Sequence, residues 1–105
     1  MQQISVKELN EMLSSDIDCI LIDVREDWER EICHLEKASH VPMADIPAKA
    51  ETLDKNKSTI VMCHHGMRSQ QVCLYLESVG FASLYNVVGG IDAWSREIDP
   101  AVELY

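Results

Sequence analysis

Two short runs of mostly apolar residues limit the folds that are open to this chain. They span residues 19–24 and 59–62, and in each run apolar side chains occupy both odd and even positions. A strand of this kind is covered on both of its faces, which is typical of a parallel sheet. Helical patterns alternate with the strands along the chain. The sequence therefore predicts an α/β domain with a mainly parallel central sheet flanked by helices on both faces.

Helix signals lie around these strands. Ser5 and Glu8 have the spacing of a capping box, which predicts a first helix that begins there and ends near Ser14. Apolar residues three and four apart predict an amphipathic helix between Ser69 and Gly80, since glycine suits the position just past a last turn. Three shorter helices are expected at residues 26–32, 46–53 and 91–96.

Weaker features complete the predicted fold. Brief strands are expected at residues 40–41 and 84–88. In the first of the short helices, Trp28 and Ile32 lie four apart, so they would form one apolar edge. The acidic tail from Glu97 is expected to pack loosely.

Length and charge argue against several classes of function. The 105 residues fit a single domain, residues 1–105, and the net charge of −9 argues against nucleic acid or an anionic membrane as a partner. The longest aliphatic runs have about four residues, far fewer than a membrane span needs. The first five residues lack the features of a secretory signal. A cytoplasmic location is therefore expected, in which the cysteines stay reduced.

Cys63 stands at the end of the second buried run, before a loop and a helix. Gly66 permits a positive φ angle, which lets the N–H groups of the loop turn toward the sulfur. Ser69 suits the start of the following helix, whose dipole favours negative charge at that end. These conditions favour a thiolate, so we expect Cys63 to be a nucleophile rather than a small core residue.

Further polar and glycine residues follow the other predicted strands. Asp23 and Arg25 end the first buried strand, and Gly89 and Gly90 end the last one. The carboxyl ends of parallel strands lie at one edge of a sheet, where sites form in such folds. We therefore expect these residues to meet the cysteine loop, residues 63–69, and the Asp23–Arg25 ion pair to support it.

The loop resembles the active-site loop of rhodanese sulfurtransferases through its pattern Cys63-x-x-x-x-Arg68-Ser69. Three further stretches resemble that family's other signatures and occur in the same order. They are a strand ending in Asp-x-Arg at residues 21–26, a Glu-containing turn leading to a short strand and proline at residues 28–42, and the closing Gly-Gly-x-x-x-Trp at residues 89–94.

The resemblance implies a mechanism that needs no cofactor and no metal. Cys63 would attack the outer sulfur of a donor such as thiosulfate or a persulfide and would then pass that sulfur to cyanide or a thiol. Arg68 would hold an anionic donor, or else pair with a carboxylate such as Asp23. The residues implied in substrate binding are His64, His65, Gly66, Met67, Arg68 and Ser69.

Two other functions stay open. A sulfur-relay or binding module would exchange sulfur with protein donors and acceptors and show weak thiosulfate activity, and the negative charge favours a basic partner. A phosphatase or arsenate reductase is disfavoured, because related phosphatases carry five residues between the cysteine and the arginine, whereas four separate Cys63 from Arg68. The shorter loop suits a sulfur atom rather than a tetrahedral oxyanion.

The remaining cysteines and histidines have simpler expected roles. Cys19 and Cys73 are expected in the core, and Cys33, in a loop, is the one candidate for a second, resolving thiol. His34 and His40 are expected to be structural rather than metal ligands. No pair of cysteines has the C-x-x-C spacing of a zinc knuckle or a thioredoxin motif.

Overall fold

The computed structural model describes residues 1–105 and contains one five-stranded sheet. Its strands are β1 (Gln2–Ile4), β2 (Cys19–Asp23), β3 (Ala38–His40), β4 (Ser58–Met62) and β5 (Leu84–Val87). They lie in the order β1-β5-β4-β2-β3, and every neighbouring pair is parallel. The carboxyl ends of β5, β4 and β2 therefore lie side by side, as the sequence predicts.

Four helices connect the strands, and a fifth follows the last strand. They are α1 (Val6–Ser14), α2 (Asp27–Ile32), α3 (Ile46–Ala50), α4 (Met67–Ser78) and α5 (Gly90–Glu97), and a single 3₁₀ turn, Met43–Asp45, precedes α3. The predicted capping box at the start of α1 is confirmed. The Glu8 amide donates to Ser5 Oγ and the Ser5 amide donates to Glu8 Oε1, both over 3.1 Å.

Hydrophobic clusters cover both faces of the sheet. Leu21 and Ile60 belong to the cluster that includes residues of α1 and α5, while Ile22 and Val61 belong to the cluster that includes residues of α3 and α4. Successive residues of a strand point to opposite faces, so β2 and β4 are buried on both sides. The predicted sheet with helices on both faces is confirmed.

Several predicted boundaries shift in the structure. The third strand is Ala38–His40 rather than residues 40–41, and α3 ends at Ala50 rather than at Leu53. The sequence did not indicate β1, because a three-residue strand that begins with two glutamines carries no apolar pattern. Its place in the sheet comes from pairing with β5, in which Ile4 lies opposite Val87.

The predicted apolar edge of α2 is wrong for Trp28, whereas Ile32 is half-buried against the core. Trp28 is 60% exposed, whereas Glu29 is buried, with 2% of its surface exposed. The helix therefore turns a carboxylate toward the interior and an indole toward solvent. This inversion follows from the ion pair that Glu29 forms with the cysteine loop, described below.

No helix in the structure is both long enough and apolar enough to span a membrane.

Candidate active site

The cysteine loop, residues 63–69, begins where β4 ends. Cys63 directly follows the last residue of that strand and is buried. Gly66 has the predicted positive φ angle, 109°, and is the N-cap of α4, which begins at Met67 rather than at Ser69 as predicted. The amide of Gly66 donates to Cys63 Sγ over 3.1 Å, and the amide of Ser69 donates to it over 3.4 Å. Two N–H groups of the loop therefore contact the sulfur.

A side-chain hydroxyl completes this sulfur environment. Ser69 Oγ lies 3.3 Å from Cys63 Sγ and also donates to Asn86 Oδ1. Asn86 Nδ2 donates to Gln3 Oε1 and to the carbonyl of Gly66, which fixes Asn86 Oδ1 as the acceptor. While the Ser69 hydroxyl donates its hydrogen bond to Asn86, Ser69 Oγ can accept a hydrogen bond from the neutral Cys63 thiol. Rotation of the hydroxyl would let it donate to a thiolate instead.

The amino end of α5 holds the first part of the loop. The amide of Ile91 donates to the Cys63 carbonyl over 3.0 Å, and the amide of Asp92 donates to the His64 carbonyl over 3.1 Å. Gly90 makes this approach possible, because a Cβ there would overlap both of those carbonyl oxygens. The predicted meeting of the glycine pair with the loop is confirmed.

Arg68 at the other end of the loop pairs with α2. Its guanidinium makes two hydrogen bonds to the Glu29 carboxylate, Nη1 to Oε1 over 2.5 Å and Nη2 to Oε2 over 2.8 Å. Arg68 therefore pairs with a carboxylate, which was one of its two expected roles, and that carboxylate is Glu29 rather than Asp23. Burial opposes the charge on Glu29, but the hydrogen bonds from Arg68 and Tyr105 outweigh it and lower the Glu29 pKa to about 2.

Asp23 forms the predicted ion pair with Arg25. Arg25 Nη2 lies 2.8 Å from Asp23 Oδ2, and both side chains are buried. Burial opposes the charge of Arg25, but hydrogen bonds with Asp23 and Tyr105 raise its pKa. Arg25 also donates to the carbonyls of Cys33 and Glu29. The pair therefore holds the segment that carries Glu29, and its contacts with the cysteine loop are indirect, through Glu29 and Tyr105.

Tyr105 packs against the loop, so the prediction of a loosely packed tail is wrong for its last residue. The phenol donates to Glu29 Oε2 over 2.7 Å and accepts from Arg25 Nη1 over 2.9 Å. Burial and the hydrogen bond to Glu29 raise the pKa of Tyr105. Its ring stacks on His64, and the other neighbour of that imidazole is His65. Burial and the adjacent His65 lower the pKa of His64.

Apolar side chains are exposed beside the loop. Met67, the first residue of α4, is 78% exposed. Trp28 meets the Tyr105 ring edge-on, with ring centroids 6.2 Å apart. The side chain of His65 is also mostly exposed. The surface around the cysteine is therefore partly apolar, although the protein as a whole is acidic.

The four cysteines are all free thiols. Burial raises the pKa of Cys73 to about 12 and also raises the pKa of Cys33, so both favour the protonated form. This counts against Cys33 as a second, resolving thiol. Cys19 was expected in the core, but it is only half-buried and lies at the edge of the core. His40 Nε2 bonds to the Arg25 carbonyl over 2.7 Å, which agrees with a structural role.

Sequence reasoning gave no role to three residues that the structure brings to the site. Asn86 is the one amide side chain within β5, and a polar residue inside a strand could have indicated a role at the site. Glu29 lies in the Glu-containing turn of the family resemblance, but spacing along the chain does not indicate its arginine partner. Tyr105 is distant in sequence from His64, on which it stacks, and no pattern connects the two.

Comparison with known proteins agrees with this geometry. The family model described as "Rhodanese-like domain" matches residues 5–97. The chain is 46% identical over 99 residues to the "Putative sulfurtransferase YtwF" of Bacillus subtilis, covering 94% of this chain and 95% of that protein. It is 36% identical over 93 residues to the "Thiosulfate sulfurtransferase GlpE" of Coxiella burnetii, covering 89% of this chain and 86% of that one.

A solved structure has the same fold. The rhodanese-like domain protein from Staphylococcus aureus superposes with a TM-score of 0.85 at 32% sequence identity, covering 100% of this chain and 99% of that chain.

Proposed function

Because the chain belongs to the family of rhodanese-like domains, we propose that it is a sulfurtransferase in which Cys63 carries the sulfur as a persulfide. The observation that carries this proposal is the contact of Cys63 Sγ with the amides of Gly66 and Ser69. Those N–H groups are placed to stabilise negative charge on the cysteine sulfur and on a second sulfur attached to it.

The proposed reaction has two balanced steps. The Cys63 thiolate attacks the outer sulfur of thiosulfate, the S–S bond breaks, and sulfite leaves with the bonding electron pair. Cyanide or a thiolate then attacks the outer sulfur of the persulfide, and thiocyanate or a new persulfide leaves. The Cys63 thiolate is regenerated, so the thiol alone carries the sulfur and no cofactor takes part.

The other residues of the loop have proposed roles in binding the donor. His64, His65 and Met67 lie beside the nucleophile, and His65 and Met67 are mostly exposed. Arg68 adds positive charge at the loop, although both of its terminal nitrogens bond to Glu29. We therefore assign Arg68 mainly to holding the loop, with donor attraction as a long-range contribution.

A cyanide assay with thiosulfate tests the proposal. The unmodified chain is expected to form thiocyanate, and Cys63→Ser is expected to abolish the activity. Cys19→Ser is the matched control, because Cys19 lies at the opposite end of its strand from the site, and this variant should retain full activity. Equal activity in the Cys63→Ser variant and the unmodified chain would contradict the proposal.

A sulfur-relay module is the second candidate. The net charge of −9 disfavours small anionic donors, and the exposed Trp28 and Met67 offer apolar surface for a protein partner. A relative of this chain is named "Putative sulfur carrier protein YrkF", and the chain spans 52% of its length. Comparing kcat/KM for thiosulfate with that for transfer from a cysteine desulfurase separates the two functions. Efficient use of thiosulfate would count against the relay.

A phosphatase or arsenate reductase stays the least supported function. Four residues separate Cys63 from Arg68, and the Arg68 guanidinium bonds to Glu29. Hydrolysis of an aryl phosphate that depended on Cys63 would revive this function, and we expect none.

A further inference from the structure

Three potential metal ligands converge beside the cysteine loop. His64, His65 and Asp92 each offer one ligand atom, and these atoms all lie within 4.8 Å of one another. His65 Nε2 lies 4.0 Å from Asp92 Oδ1. No other group of three or more histidine, cysteine or acidic side chains in the protein comes together in this way. The other two histidines, His34 and His40, lie outside the group.

The backbone holds these residues in place. The Asp92 amide donates to the His64 carbonyl over 3.1 Å, which fixes the start of α5 against the loop. His65 is held in the same way, because its carbonyl accepts from the Gly89 amide over 3.1 Å. The His65 side chain is 61% exposed, so it can rotate toward a ligand without disturbing the core.

An unsatisfied nitrogen is a second, independent observation. His64 Nε2 is buried and has no hydrogen-bond partner, and it is the one buried side-chain nitrogen or oxygen in the protein in this condition. Buried polar atoms are almost always paired with protein, water or an ion. His64 also belongs to the group with His65 and Asp92, and an imidazole with an unpaired nitrogen beside a second imidazole and a carboxylate is chemically suited to a metal ion.

We propose that His64, His65 and Asp92 bind a divalent transition-metal ion of the zinc class. Imidazole and carboxylate are established zinc ligands, at about 2.0–2.2 Å from the ion. Ligand atoms around a tetrahedral ion of that size lie roughly 3.3 Å apart, so the three ligand atoms must move closer together, and the exposed His65 is the side chain free to rotate. Three protein ligands leave a fourth position for water. Cys63 Sγ is not a member of the group, and the site therefore does not use the thiol.

The ion would add positive charge beside the cysteine loop of a protein whose net charge is −9. The site shares His64 and His65 with the cysteine loop but does not include the nucleophile Cys63, and Zn²⁺ binding is measured separately from sulfur transfer. Failure of one proposal is therefore distinguishable from failure of the other.

Calorimetric titration of the full chain with Zn²⁺ tests the site, with Asp92→Asn and Cys63→Ser as the paired variants. Asp92→Asn keeps the shape of the side chain and removes its charge, and it should weaken binding about tenfold or more, because loss of even an outer-shell partner costs about 10–100-fold. Cys63→Ser should bind Zn²⁺ as the unmodified chain does. Circular dichroism establishes that each variant is folded.

His65→Ala and His34→Ala supply the second pair. His34 also lies near a carboxylate, with its Nε2 3.6 Å from Glu36 Oε1, but it has no third ligand. His65→Ala should weaken Zn²⁺ binding and His34→Ala should not. Unchanged binding in Asp92→Asn or in His65→Ala, or lost binding in Cys63→Ser, would overturn the proposal.

Discussion

The ring of Tyr105 lies parallel to the imidazole of His64, with ring centroids 3.8 Å apart and 4° between the planes. The same tyrosine donates its hydroxyl proton to Glu29, which in turn holds Arg68. One side chain thus contacts the residue next to the nucleophile and also the carboxylate that anchors the far end of the loop. Tyr105 is therefore a positioning residue for the whole loop.

Removal of the Tyr105 hydroxyl is expected to destabilise the protein. Tyr105→Phe keeps the ring on His64 but leaves Glu29 and Arg25 without a shared partner, so the free energy of unfolding should fall by about 1–2 kcal/mol. Urea unfolding measures the change. Tyr75→Phe is the control, because Tyr75 is exposed on α4, and it should change stability by less than about 0.5 kcal/mol. Equal effects in the two variants would contradict this role.

The Arg68–Glu29 pair should contribute more to stability than a surface pair. Arg68→Ala leaves the buried Glu29 carboxylate without its main partner, and a loss of about 2 kcal/mol is expected, reduced from the value for a fully buried pair because Arg68 is partly exposed. Arg96→Ala removes the exposed pair with Asp92 and should cost about 0.5 kcal/mol or less. Unfolding measurements that give the two variants equal losses would contradict this ranking.

The pH dependence of stability should report Glu29. Its pKa is about 2 in the folded protein against an ordinary value of 4.5. A lowered pKa means that the unfolded chain binds the proton more tightly, so the stabilisation is present above pH 4.5 and is lost as the pH falls toward 2. Unfolding at a series of pH values should show this loss, and Glu29→Gln should flatten it. A variant with the same slope as the unmodified chain would be inconsistent with the assignment.

Gly90 should tolerate substitution far less than Gly80. Both have positive φ angles, but a Cβ on Gly90 would overlap the carbonyl oxygens of Cys63 and His64, whereas a Cβ on Gly80 meets nothing closer than 3.7 Å. Gly80→Ala should cost about 1–2 kcal/mol for its backbone conformation alone. Gly90→Ala should cost clearly more and should also reduce sulfur transfer. Similar losses of stability in both variants would show that the close approach is unimportant.

Local signals in the sequence were sufficient for much of the fold. The Ser5–Glu8 capping box, the two buried strands and the positive φ angle at Gly66 depend on neighbouring residues, and all are confirmed. The position of the cysteine loop at the edge of the sheet could also be predicted, because parallel strands bring their carboxyl ends together.

Contacts between distant residues could not be predicted in this way. The periodicity of α2 predicts that Trp28 is buried. Instead, the ion pair with Arg68 accompanies a helix orientation that buries Glu29 and exposes Trp28. The place of Tyr105 depends on the same carboxylate, 76 residues away in the chain. The buried side of α2 and the position of Tyr105 thus depend on interactions between residues far apart in the chain. The spacing of residues along the sequence does not indicate such interactions.

Mass spectrometry of the intact protein after treatment with thiosulfate tests the central claim most directly. The unmodified chain should gain the mass of one sulfur atom, and cyanide should remove it with formation of thiocyanate. The Cys63→Ser variant should gain nothing, while Cys19→Ser should gain the same mass as the unmodified chain. Absence of the added sulfur with thiosulfate and with a persulfide donor, or its presence in Cys63→Ser, would contradict a Cys63 persulfide.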